Sequence, residues 1–533
     1  MIIFALVIGL YSYFIFTLGI FSFLYPGILS GSFVLLLFVC WVIKRRSIKH
    51  FFISVYQDNK KSKISVILLV LLLLQIGVNT IGMFGPELGF DALWYHLTLP
   101  KLYLLHHSIF HIPGGLLYYT DMPKLGEMLY TAGLSFGEGM PKLIHFSFGI
   151  LTICLLYQIL RTFVSPFVSL IGLLMFYTSL VVGWESTSAY IDLIRTFYEL
   201  MGFWLFLRWR DKKEQKLLLL SAIMLGFAIT TKLLALGSVA IFLLLIIYDG
   251  IVTKERKHIL RRMLLFSTLA LVIPLPWFVF AYSNTGNPLY PFFTSLYAVT
   301  PQSNFFSPLI MIKEFVTLFL FSSDPISPVY LICLPVVFIS YRIQKTYNKT
   351  IYIYSFLVLI VWYITPRTGG GRFILPYLPT LSIVAGVSIT PFLKQKSYRY
   401  IIITVLLFVV LTSVIYRGGA NAKYIPYLLG KESKPMFLKN HLNFNYGDFY
   451  DVDGFFKNTI SKNDQVLFYG FHNLYYVDFP FIDNSWVKKG DAFNYIAVQN
   501  NSLSKRFRTW KKIYTNPLTK VSVYTNNKKM VKY

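Results

Sequence analysis

The sequence predicts an α-helical membrane protein of many spans with a small α/β domain at its C-terminal end, and three observations predict it. The first is composition: of 533 residues, 56% are hydrophobic and 14% charged, with a mean hydropathy of +0.59, whereas soluble domains carry about 25% charged residues. The second is repetition, because continuous apolar runs recur from residue 1 to residue 416. They are too long and unbroken for the alternating strands of a β-barrel. The third is contrast: residues 417 to 533 are polar, with short β-prone stretches between them.

A helix needs about 20 apolar residues to cross the hydrocarbon core, and fewer where neighbours shield it. On that criterion roughly thirteen spans are expected. They lie near 1–24, 28–43, 64–84, 142–160, 166–183, 192–207, 217–230, 233–250, 263–281, 327–341, 350–364, 373–390 and 399–416. The chain then divides into an N-terminal hairpin with a basic loop (1–63), a transmembrane catalytic domain (64–416) with an external loop at 85–141, and a C-terminal α/β domain (417–533). In the tail, strands are expected at 465–469, 493–498 and 521–524, and helices near 451–459 and 502–510.

The formal charge of +27, from 50 Lys and Arg against 23 Asp and Glu, falls largely in alternate links. Residues 44–63, 208–216 and 254–262 are rich in Lys and Arg, and the links between them are nearly free of both. That is the pattern of cytoplasmic loops beside anionic headgroups, not of a nucleic-acid surface. It puts the protein in the cell membrane with its N-terminus cytoplasmic and with 85–141 and the C-terminal domain extracytoplasmic. The first run lacks a charged n-region and a cleavage site, so it is expected to be a retained span. Cys40, Cys154 and Cys333 each sit alone in an apolar run and read as small buried hydrophobes.

Ionisable residues at outer span ends carry the chemistry, because a charge at the membrane must be solvated, paired or functional. Asp91 begins ALWYHLTLPKLYLL, where it suits either a general base or a helix N-cap. His96, Lys101, Asp121, Lys124 and Glu127 follow in the same loop as candidate substrate-binding groups. Asp192 and Arg195 share a helix face at the start of the sixth run, as a structural pair or a substrate site. Lys232 interrupts GFAITTKLLAL, where it either snorkels or meets an anion. Arg367 and Arg372 bracket the glycines of TPRTGGGRFILPYLP; glycine admits close approach of a ligand and Arg binds phosphate oxygens in pairs. His106, His107 and His111 match no metal-site spacing. No cofactor is called for, and a divalent metal, though compatible with such a site, is not supported by these residues.

In order, FDALWYHLTLPKLY, DMPKLGEMLY, SAYIDL, GFAITTKLLAL, PWFVFAYSNTGNPLYPF, SDPISP and GGGRFILPYLP resemble the GT-C superfamily of polytopic glycosyltransferases, especially its family 39-like bacterial and archaeal members. The resemblance spans residues 90 to 379 and rests most on Pro276 to Phe292. It implies a GT-C-like bundle, a polyprenyl-phosphate sugar as donor, and an acidic base in the first external loop, at the position of Asp91. The chain departs from the pattern in two ways: Ala92 follows Asp91 where many relatives have a second acid, and two extra runs precede the loop.

The expected function is inverting transfer of a sugar from that lipid-linked donor to a lipid, glycan or protein acceptor on the outer membrane face. Its partners are membrane lipids, donor and acceptor, with no nucleic acid. A multi-span transporter or flippase would instead place polar groups at the bilayer midplane. A lipid-linked oligosaccharide polymerase or ligase would carry one dominant late loop.

Overall fold

The computed structural model describes residues 1–533 except 298–306, 323, 344–345, 366–369 and 528. Among these, six helices are long and apolar enough to cross a membrane: Ile2–Ile20, Lys63–Phe84, Met140–Phe163, Leu233–Val252, Gly371–Ile389 and Lys396–Ala422. A seventh candidate is the pair Arg256–Val272 and Leu275–Thr285, bent by 59°. The bend falls at Pro274 and Pro276, where a missing N–H and a ring clash interrupt a helix. Five further apolar helices are shorter. Of the thirteen spans expected, six or seven meet this length and composition test among the described residues.

Hydropathy does not see where a helix breaks. The run at 166–183 ends as a helix at Tyr177 and resumes over Leu180–Glu185. The run at 192–207 is a 21-residue helix, Asp192–Lys212, with several charged residues among its buried side chains. Opposite in effect, the second helix runs on from Pro26 to Asn59, so most of the basic stretch at 44–63 is helical rather than an open link.

The outer surface of the bundle is apolar: Lys396–Ala422 exposes Ile401, Phe408 and Ile415, and Lys63–Phe84 exposes Ile67, Leu73 and Leu74. Such surfaces are stable only against lipid tails. The last long helix passes the expected boundary at 416. Its final turns pack inward, Arg417 Nη2 donating to Asn421 Oδ1 (3.0 Å) and Asn421 Nδ2 to Val78 O (2.8 Å).

Beyond Ala422 the chain folds into a sheet flanked by short helices, Lys434–His441 and Phe455–Thr459. Seven strands are described: β1 Val466–Tyr469, β2 Phe481–Asp483, β3 Ala492–Phe493, β4 Tyr495–Gln499, β5 Lys511–Asn516, β6 Val521–Thr525 and β7 Val531–Lys532. Five form one sheet in the order β2-β1-β4-β6-β5, parallel at β1 and antiparallel at β6. Both faces of its centre are covered, so β1 and β4 read as continuous apolar runs. Val466 and Phe468 enter one core and Leu467 the other, as a period of two requires.

β1, β4 and β6 fall where the sequence places strands, and the helix expected at 451–459 forms over its second half. The helix expected at 502–510 is only a 3₁₀ turn, Lys505–Phe507. β5, KKIYTN, was not expected; it is an exposed edge strand whose lysines discourage pairing with another chain.

Candidate active site

The loop at 85–141 folds into short helices: a π-helical turn Ala92–His96, then Thr98–His106, a 3₁₀ turn Tyr118–Asp121, and Leu125–Leu134. Asp91 stands at the head of the π turn, but its side chain makes no capping bond. It turns instead to Arg372, whose Nη2 lies 2.7 Å from Asp91 Oδ2. Of the two roles open to Asp91, the N-cap is thus not the one its carboxylate takes.

Arg372 sits in the short helix Gly371–Ile374, and its guanidinium is shared. Nε donates to Asp192 Oδ2 (3.1 Å), Glu185 Oε1 lies 3.5 Å away, and Tyr190 faces the charge with its ring centroid 4.4 Å off. Asp192 Oδ1 in turn accepts from Lys232 Nζ at 2.7 Å. A chain Asp91–Arg372–Asp192–Lys232 results, closed from behind by Glu185, and it joins residues from four separate segments. Lys232 is extended between the helix Gln215–Thr231 and the turn Leu233–Ala235, so it does not snorkel away from the bundle.

Gly370 and Gly371, directly before Arg372, pack closely against another part of the chain. A Cβ on Gly371 would lie 2.0 Å from Asp324 O, and one on Gly370 would lie 2.5 Å from Ser322 Cβ. The close approach they permit is to the chain's own segment around Asp324. Arg367 lies outside the described residues.

A cavity of about 370 Å³ opens beside this chain of charges, lined by Asp91, Lys124, Glu127, Lys232 and Arg372 and walled by Trp94, Tyr95, Tyr118 and Tyr119. Lys124 Nζ donates to the carbonyls of Tyr119 and Met122. Burial pulls its ammonium down to about 8. For Asp91, burial acts to raise the carboxyl, but Arg372, His96 and Lys232 outweigh it and hold the group below the usual carboxylate range.

The remaining candidates stand behind the cavity. Buried His96 meets Glu127 Oε1 at 2.8 Å. Asp121 accepts from His111 Nδ1 (2.6 Å) and from Asn284 Nδ2 (3.0 Å), so the segment Pro276 to Phe292 reaches the loop at 85–141 through that amide. Two expectations are corrected. Arg195 does not pair with Asp192: it bonds Glu199 Oε1 (3.1 Å) and Tyr377 Oη (2.9 Å) and does not line the cavity. Lys101 is turned to the C-terminal domain, where its Nζ binds Tyr475 O, Val477 O and Asp478 Oδ1 at 2.9, 2.8 and 2.6 Å.

Sequence reasoning missed Glu185 and Tyr190. A single acid in the otherwise uncharged stretch LVVGWESTSAYI was the available signal for Glu185. Among the described residues no group of three or more His, Cys, Asp or Glu side chains is placed to hold a metal ion.

Residues 121–287, which contain Lys124, Asp192 and Lys232, match the family model for dolichyl-phosphate-mannose-protein mannosyltransferase. The fold is similar to that of apo ArnT from Cupriavidus metallidurans, with a TM-score of 0.58 and 14% identity over 87% of this chain and 98% of that one. The same enzyme bound to undecaprenyl phosphate gives a TM-score of 0.56 with 15% identity, over 86% and 97%. The archaeal oligosaccharyltransferase AglB from Archaeoglobus fulgidus, in complex with an inhibitory peptide and a dolichol-phosphate, gives 0.50 with 11% identity, over 82% and 69%. No curated protein matches the chain in sequence. The chain thus shares its fold with these polytopic membrane proteins, and its middle part matches a glycosyltransferase family model.

Proposed function

We propose that the cavity beside Asp91 takes the phosphate and sugar of a polyprenyl-phosphate-linked donor at the outer membrane face, and that the sugar passes with inversion to an acceptor hydroxyl deprotonated by Asp91. The observation that carries this reading is the shared guanidinium: Arg372 binds Asp91 and Asp192 at once, in one cavity with Lys232 and Lys124. Two carboxylates around one Arg leave it able to exchange either partner for a phosphate, which Arg binds through two parallel hydrogen bonds.

That exchange links donor binding to base strength. While Arg372 faces it, Asp91 is a weak base, because the neighbouring positive charge favours its ionised form. A donor phosphate that draws Arg372 and Lys232 toward itself lifts that hold, and the carboxylate becomes a better proton acceptor with the donor in place. The acceptor oxygen then attacks the anomeric carbon from the face opposite the phosphate, through an oxocarbenium-like transition state. Charge building on the departing phosphate meets Arg372, Lys232 and Lys124. The relatives solved with undecaprenyl phosphate and with a dolichol-phosphate support a donor of this type.

Comparing surface glycans and lipid-linked sugars by mass spectrometry, with and without the chain, tests this directly. Loss of one glycan modification together with build-up of one polyprenyl-phosphate sugar is expected. Unchanged pools on both sides contradict the reading.

A further inference from the structure

The C-terminal domain reaches the candidate active site through one loop. Tyr475 N–H donates to Leu93 O (3.3 Å), Tyr476 Oη donates to Glu87 O (2.9 Å), and Lys101 fastens the loop from below. At the head of this loop the His472 ring stacks on Phe90 with centroids 4.7 Å apart and packs on Trp94 at 4.3 Å. Phe90 and Trp94 both line the cavity, and Phe90 directly precedes Asp91. His472 does not line the cavity itself but packs on two residues that do.

The loop is held in place by backbone as well as by side chains. Gly447 and Gly470 flank it at φ +88° and +78°, a region that glycine enters without strain. A Cβ on Gly447 would lie 2.8 Å from the His472 nitrogen, and one on Gly470 would lie 2.1 Å from Gln499 O.

Hydrogen bonds then decide which ring nitrogen carries the proton. Buried Asp448 accepts from Asn443 N–H at 2.6 Å and from Asn473 Nδ2 at 2.5 Å. With its nitrogen turned to that carboxylate, the Asn473 amide presents its oxygen to His472 Nδ1, 2.9 Å away. An amide oxygen only accepts, so Nδ1 is protonated and Nε2 of the neutral ring is a bare lone pair. Burial lowers the imidazole below its ordinary range and keeps it neutral. Among the described residues Nε2 has no hydrogen-bond partner.

We propose that His472 is an acceptor-binding residue whose Nε2 receives a hydrogen bond from the acceptor's hydroxyl at the rim of the Asp91 cavity. The C-terminal domain then supplies one wall of the acceptor site. A lone pair fixed in this way selects a neutral hydroxyl compound over a phosphate or carboxylate, which has no proton to give. The proposal rests on the reading of Asp91 as the base in glycosyl transfer.

The test uses the full-length protein in nanodiscs, the sugar-labelled polyprenyl-phosphate pool extracted from the expressing cells as donor, and increasing amounts of their envelope fraction as acceptor. His472→Ala is expected to cut transfer about 10-fold at low acceptor, the loss of roughly one hydrogen bond. More acceptor should offset the loss, undecaprenyl phosphate affinity should not change, and His472→Gln should restore part of the rate. A folded His472→Ala variant with wild-type transfer overturns the proposal, and so does one that loses undecaprenyl phosphate affinity as well. Absence of transfer by the wild-type chain would instead defeat the underlying reading. Independently of any donor, the ¹⁵N spectrum of histidine-labelled protein, with His472→Gln as its assignment control, should show Nδ1 protonated and Nε2 bare. A proton on Nε2 overturns the proposal whatever the chain transfers.

Discussion

Arg372 Nη2 lies 2.7 Å from Asp91 Oδ2, so the cation proposed to bind the phosphate is paired with the carboxylate proposed as the base. Nothing in their spacing of almost three hundred residues announces this pair. On the proposed reading it makes donor binding and base strength parts of one equilibrium.

Replacing Arg372 by Lys keeps a charge but not a planar fork, and one ammonium cannot serve Asp91 and Asp192 in the same way. Undecaprenyl phosphate affinity should fall by about 10- to 100-fold in Arg372→Lys, the worth of a charge-assisted hydrogen bond. Equilibrium binding to the purified variant measures it. Wild-type affinity and turnover in Arg372→Ala would remove the residue from the donor site.

Lys124 gives the site a pH dependence. Burial sets its ammonium at about 8. Phosphate affinity should therefore hold near pH 7 and weaken as the pH rises through that value. Lys124→Met should abolish the step. The stability term has the opposite sign: with a folded value below the ordinary 10.5, the folded state binds fewer protons between those limits, and stability rises with pH across them. Thermal unfolding and binding measured on one pH series separate the two.

Arg195 should matter for folding rather than for substrate. Arg195→Ala leaves the buried Glu199 carboxylate with Ser238 but without its cation and takes one hydrogen bond from Tyr377. Breaking a buried pair in this way costs about 3–5 kcal/mol. A large drop in thermal stability with unchanged undecaprenyl phosphate affinity is expected. Lost affinity in a stable variant would return Arg195 to the donor site.

Topology is open to cysteine labelling. Gly139 is exposed, with open space where a Cβ would go, and Lys462 is an exposed residue of the C-terminal domain. A membrane-impermeant thiol reagent added outside the cell should reach Gly139→Cys and Lys462→Cys but not Lys60→Cys or Lys213→Cys. Labelling of Lys462→Cys only after the membrane is opened would put the domain on the other side.

Much of the site was legible one residue at a time. Asp91, Asp192, Lys232 and Arg372 each announced themselves as charges at apolar span ends, and the fold brings them within 2.7 to 3.1 Å of one another. Their pairing was not legible. Spacing puts Asp192 and Arg195 on one face, yet Arg195 finds Glu199 one turn on and Tyr377 from a distant helix. His472 carried no local signal at all, since its place beside Phe90 depends on a domain docked from the far end of the chain. Composition identified a many-span bundle, whereas the number of long helices depended on breaks such as Thr178 and Pro274 that an average over a window hides.

The most direct test of the account is Asp91→Asn in the purified full-length protein, assayed for turnover of a lipid-linked donor and for binding of undecaprenyl phosphate. The amide is isosteric but cannot take the acceptor's proton, and it removes an anion that competes with the phosphate for Arg372. Transfer should fall by about a hundredfold to ten-thousandfold, the usual cost of losing a general base, while undecaprenyl phosphate binds as well as before or more tightly. Turnover at the wild-type rate in that variant would contradict the assignment and send the search for a base to Asp121, Glu127 or Asp192.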